Sequence, residues 1–212
     1  MTIGSTNGAS PRTEKHLFEL IAGRPVLDLV NTLDWRFRAG TPEELLNNYS
    51  DLVRFTEQAG LISNSQARRL LRNTSESKAA GVVAAVRELR EAAALILYAG
   101  LDDDEPPASS VTLLEGYFKR ARESQRLHRA GAKLAWELTS SSSLPELPLW
   151  LLSLSAAELM TSDEIDWVRA CGNAECRWLF LDTSKNHTRR WCDMKICGNR
   201  IKARRFKAQH RA

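Results

Sequence analysis

Cysteine is missing from the first 170 residues of this 212-residue chain, so no disulfide can brace that part of it. Long apolar runs are missing too: no segment approaches the roughly 20 residues needed to span a bilayer. The opening MTIGSTNGASPRTEKH lacks the apolar stretch of a secretory signal, which points to a cytoplasmic protein. Internal repeats and low-complexity tracts are absent. So are the P-loop, G-x-G-x-x-G, G-x-S-x-G and H-E-x-x-H patterns, and His16 and His128 stand apart from any nucleophile pattern. Nothing in the chain argues for an enzyme.

What remains is an ordinary globular composition, 43% hydrophobic and 26% charged, with an uneven distribution of sign. Residues 167–212 carry 12 Lys and Arg against 3 Asp and Glu, whereas residues 1–166 carry 18 against 23. The excess positive charge belongs to the C-terminal segment, and so does any polyanion partner.

Residues 1–13, rich in Gly, Ser, Thr and Asn, are expected to be disordered. Residues 14–165 read as one mainly helical domain. After a Gly-Arg-Pro break, Val26 to Phe37 carries a helical pattern. The run T-P-E-E-L-L from Thr41 looks like an N-cap, a first-turn proline and first-turn acids, and predicts a helix to Gly60. A short helix follows from Ser65, and a long one over 78–99 has Val82, Val83, Val86, Leu89, Ala93, Ile96 and Leu97 at helical spacing. Another helix is predicted over 110–122. RLHRAGAKLAWELT predicts a hairpin turned at Ala130-Gly131, with Leu134, Trp136 and Leu138 alternating on one face. The last helix of the domain should end near Met160. The fold class is therefore mainly α with a small β-hairpin, an α+β arrangement.

Residues 166–212 hold all four cysteines, Cys171, Cys176, Cys192 and Cys197, spaced C-x4-C-x15-C-x4-C. Four thiolates close a tetrahedron around one Zn2+ and leave no position open for water, which makes the metal structural. Such a site folds a segment too short to bury its own core. Two disulfides are the alternative, which a reducing compartment disfavours. Ile165–Ala170 and Trp178–Leu181 are strand candidates bracketing the first pair, and the second pair opens a basic helix. That order is treble-clef-like. The helix and its approach carry Arg189, Arg190, Lys195, Arg200, Lys202, Arg204, Arg205, Lys207 and Arg211, candidate phosphate contacts on duplex DNA. A solvated tail, structured RNA or an acidic protein partner are the competing readings. Upstream, Asp28, Asn31 and Asp34 fall at helical i, i+3, i+6 spacing with Thr32 alongside. They form either a polar face for a small effector or local capping.

The stretch RACGNAECRWLFLDTSKNHTRRWCDMKICGNRIKARRFK resembles the CGNR zinc finger, named for the tetrapeptide that is here Cys197-Gly198-Asn199-Arg200. GRPVLDLVNT and LVRFTEQAGLI resemble the ABATE domain that precedes this finger. The resemblance covers the chain from about Leu17 onward. It implies a bacterial, stress-linked transcription regulator with zinc in the C-terminal knuckle. The N-terminal domain would then sense an effector, or dimerise to set half-site spacing.

Overall fold

The computed structural model describes residues 18–40, 42–138, 144–199, 201–203 and 206. The expectation for residues 1–13 lies outside them. Gly23, in the left-handed region at φ 84°, turns the chain into α1 (Pro25–Asn31), where proline takes the first helical turn. Seven residues are too few to hold a helix alone. Burial holds this one: Val26 to Asn31 are all inside. The other helix buried on most sides is α6 (Leu147–Met160), against which α1 packs. Around this pair lie α2 (Tyr49–Gln58), α3 (Asn64–Asn73), α4 (Glu76–Leu101) and α5 (Ala108–Glu123). Of the α4 positions predicted from periodicity, Val82, Val83, Val86, Leu89, Ala93 and Leu97 are buried, and Ile96 is half-buried against the same core.

The predicted start of α2 is corrected. Glu43–Glu44 forms β2, paired antiparallel with β1 (Leu33–Asp34), and the helix starts at Tyr49. Its cap is Asn48, whose side chain accepts the Asp51 N–H at 3.0 Å; Thr41 lies outside the described residues. The reason is tertiary. Both Glu44 carboxylate oxygens accept from Arg90 at 2.7 Å. Arg90 is only 3% exposed, and it also reaches Glu91 and the Thr32 hydroxyl. A buried guanidinium needs this many acceptors, and that demand outweighs the helix-start signal around Glu44.

The predicted hairpin forms from β3 (Gln125–Ala130) and β4 (Lys133–Leu138). Ala130 pairs with Lys133, so the turn is Gly131-Ala132, one residue later than predicted. Of its alternating face, Leu134 and Trp136 are 68% and 59% exposed, while Leu138 packs against the core. After a 3-10 turn at Asp163–Trp167, β5 (Val168–Ala170) pairs antiparallel with β6 (Leu179–Leu181). This last ribbon is not an appendage. Val168, Leu179, Phe180, Leu181 and all four cysteines belong to the same buried cluster as Leu27, Leu29 and Leu152. Among the described residues no helix is long and apolar enough to cross a membrane.

Candidate metal centre

The first cysteine pair sits at the tip of the β5–β6 ribbon. The Cys171 N–H donates to the Trp178 carbonyl at 2.8 Å, closing the ribbon. The Asn173 carbonyl then accepts from both Cys176 and Arg177 at 2.9 Å, which folds the intervening residues into a tight knuckle. The second pair straddles a helix start. Asp193 caps it, its carboxylate accepting from the N–H groups of Lys195 and Ile196 at 2.5 and 3.1 Å. The first turn, Met194–Gly198, is π-helical and carries Cys197. Asn199, Ile201, Lys202, Ala203 and Phe206 continue as helix. The close approach of backbone is at Gly172, where a Cβ would meet the Arg190 carbonyl oxygen at 3.1 Å.

All four Sγ atoms lie within 4.8 Å of one another, and all four residues are buried. Cys176 and Cys192 are 3.8 Å apart, against the edge of about 3.8 Å for thiolates bound about 2.3 Å from one zinc ion. The cysteines are free, which sets aside the disulfide alternative. Packed this closely without a cation, the thiols must share protons. Hydrogen bonds from Cys176 and Cys192 pull Cys171 down, and accordingly the Cys171 thiolate pushes Cys176 and Cys192 up. A divalent cation removes the conflict by letting all four ionise. The donor set fits one structural zinc. The ion supplies cross-linking of the two cysteine pairs and no open coordination position.

Asn173, not singled out from sequence, points its amide at Cys197 Sγ at 3.7 Å, the kind of donor that steadies a thiolate ligand. Its signal is that both cysteine pairs include the tripeptide Cys-Gly-Asn, at 171–173 and 197–199. Asp182 organises the link between the pairs. It takes the Ser184 N–H and hydroxyl and the Arg189 N–H, at 3.0, 2.6 and 2.9 Å. Burial alone would raise its carboxyl; those donors outweigh it and hold the pKa below the usual range.

The predicted phosphate contacts divide. The Arg189 guanidinium faces inward, donating to the carbonyls of Trp191, Cys192 and Ile21, 4.2 Å from the Phe180 ring centre. These bonds tie the approach to the second cysteine pair to Ile21 of the helical domain. Arg190, Lys195 and Lys202 are exposed. Arg200, Arg204, Arg205, Lys207 and Arg211 lie outside the described residues.

The polar residues of the first helix do not form one continuous helical face, because α1 ends at Asn31 and Asp34 lies in β1. Two of them hold the finger instead. The Asn31 side chain donates to the Leu179 carbonyl and accepts the Leu179 N–H, both at 2.9 Å. It pairs with the outer edge of β6 as a neighbouring strand would. Leu181 extends the pairing by donating to the Ala22 carbonyl at 2.8 Å. Asp34 accepts the Trp178 indole N–H at 2.8 Å. Arg177, also missed from sequence, completes the seat. It pairs with Asp102, lies over the Phe37 and Tyr98 rings, and its carbonyl accepts the Tyr98 hydroxyl. Thr32 donates to the Leu29 carbonyl and accepts from Arg90.

Asp28 is local. It accepts the Ala22 N–H at 2.9 Å, and burial raises its pKa from 3.8 to about 6 against that bond and one from Ile21. A folded value above the unfolded one favours the neutral acid. Its contribution is complete below about pH 4 and is lost as pH rises through about 6. Asp28→Asn is expected to stabilise the protein by about 1–2 kcal/mol at neutral pH. The difference in melting temperature between variant and parent should grow from pH 5.5 to 7.5; a constant difference would refute the assignment.

A helical domain with a four-cysteine knuckle built into its own core defines a structural-zinc protein whose finger and body share one buried cluster. Residues 23–163 match the ABATE family, described as "Putative stress-induced transcription regulator", and residues 168–210 match the CGNR zinc finger. The chain belongs to the ABATE family, since that match alone spans more than half of it. No curated protein matches the sequence.

Proposed function

We propose that this protein is a cytoplasmic, non-catalytic transcription regulator that binds duplex DNA through its zinc-stapled C-terminal segment. The observation that carries the reading is the segregation of charge, with 12 Lys and Arg against 3 acids after residue 166. Arg190, Lys195 and Lys202 are exposed beside a rigid metal knuckle, while Arg177 and Arg189 are spent on internal contacts. The zinc aligns the start of the basic helix, and the outward cations meet phosphates. The helical domain senses an effector or pairs with a second copy. The shared core gives it a route to the finger, since α1 touches β6 directly.

Zinc-loaded full-length protein should retain duplex DNA at near-physiological salt and enrich a motif from randomised duplexes. Replacing Arg190, Lys195 and Lys202 together by Gln should weaken binding and flatten the salt dependence by about 0.9 in log–log slope per lost phosphate contact. Failure to retain any duplex at low salt refutes the reading. Structured RNA outcompeting duplex at matched charge would move it to RNA.

A further inference from the structure

Between the C-terminal ends of α4 and α6 lies a half-open pocket of about 430 Å³. Leu97, Leu101, Met160 and Ile165 make its apolar wall, and β5 closes one side with Val168 and Arg169. Interiors pack with few voids larger than a water molecule, whereas this volume falls in the range of small-molecule sites. Two charged residues line it, Asp166 and Arg169, and the guanidinium is fixed in place. Arg169 Nη1 donates to the carbonyls of Asp166 and Val168, both at 2.7 Å, which locks the guanidinium against the backbone. Its Nε and Nη2 have no partner among the described residues. An apolar cleft with a tethered guanidinium matches a ligand with an apolar body and a carboxylate head, which Arg binds in bidentate fashion.

We propose that this pocket binds a small alkyl or aryl carboxylate and couples it to the zinc finger through β5. The coupling is short. Val168 and Arg169 pair with Leu181 and Phe180 in the ribbon, and Cys171 follows two residues after Arg169. A ligand filling the pocket buttresses β5 against α4 and α6, and so steadies the strand that presents the first cysteine. The regulatory sense of this coupling rests on the DNA-binding reading; the binding itself does not.

Gly100 supplies a clean test. It lines the pocket from within α4, and a Cβ added there meets nothing within 4 Å. Gly100→Phe should fill the pocket without disturbing the helix, which glycine weakens in any case. The experiment is calorimetric titration of full-length, zinc-loaded protein with octanoate, octanol and octylammonium. Octanoate should bind, octanol about tenfold more weakly, and octylammonium least, the order set by a charge-assisted contact. Gly100→Phe should abolish octanoate binding while keeping the parent melting temperature. Arg169→Gln should equalise octanoate and octanol. Octanoate should also slow hydrogen exchange over residues 168–181. The proposal is overturned if octanoate does not bind, if Gly100→Phe leaves its affinity unchanged, or if octylammonium binds best through the nearby Asp166 carboxylate. Duplex retention measured in parallel separates the two readings. Lost octanoate binding with DNA retained removes only the pocket, and the converse removes only the regulator.

Discussion

Stripping zinc from this protein is expected to loosen the helical domain as well as the C-terminal segment. The four cysteines sit in the same buried cluster as Leu27, Leu29 and Leu152, so they are part of the body's core. Without the ion, four thiols within 4.8 Å must take up protons and move apart, and the bonds from Gly172 to the Arg190 carbonyl and from Asn173 to Cys197 are left to hold the two pairs together. Structural zinc supplies on the order of 10 kcal/mol to isolated finger peptides. Losing even half of that, at about 2–4 °C per kcal/mol for a chain of this size, lowers the melting temperature by 10 °C or more. Chelation should reproduce the effect of Cys192→Ser, and both should accelerate hydrogen exchange in α1 and α6. Exchange in those helices that ignores chelation would show that the finger folds apart from the body.

Asn31→Leu should be nearly as damaging, although it keeps the size and apolar character of a buried position. The Asn31 amide is the partner of both the N–H and the carbonyl of Leu179, and that strand residue is fully buried. Leucine leaves both groups without a partner, at about 1–3 kcal/mol each. The expected loss is therefore about 2–6 kcal/mol, with a melting point lower by roughly 10 °C. Because Leu179 follows Cys176 closely, zinc should also pass to a chromophoric chelator several-fold faster. A change in stability below about 0.5 kcal/mol, the range of an ordinary surface substitution, would show that the pairing is dispensable.

How legible was this in the sequence? The cysteine spacing was enough to place the metal ligands, because a tetrahedral site constrains residue type and separation together. The α4 periodicity was enough to place its buried stripe, because one helix face repeats regardless of its neighbour. Partner choice was not legible. Glu44 looked like a first-turn acid of a helix, yet it lies in a strand because Arg90, far along the chain, requires its carboxylate. Arg189 looked like a phosphate contact by residue type, but carbonyls of its own finger claim it. Asn31 joins a backbone 148 residues away. Charge and hydrogen-bonding groups are satisfied by whatever the fold brings near, and local pattern does not record that.

The seat of the finger has a consequence for how this protein can be rearranged. Zinc fingers are often thought of as cassettes that can be cut out and joined to a new host. Here the outer margin of β6 is finished by a side chain of α1 and by the Ala22 carbonyl, both contributed by the other end of the chain. A fragment beginning near Asp166 would carry its metal ligands intact but leave that margin bare, with the backbone groups of Leu179 and Leu181 unpaired. Unpaired strand edges recruit other strands. The excised piece would tend to aggregate, and a viable transplant must bring the stretch from Ala22 to Asp34 with it.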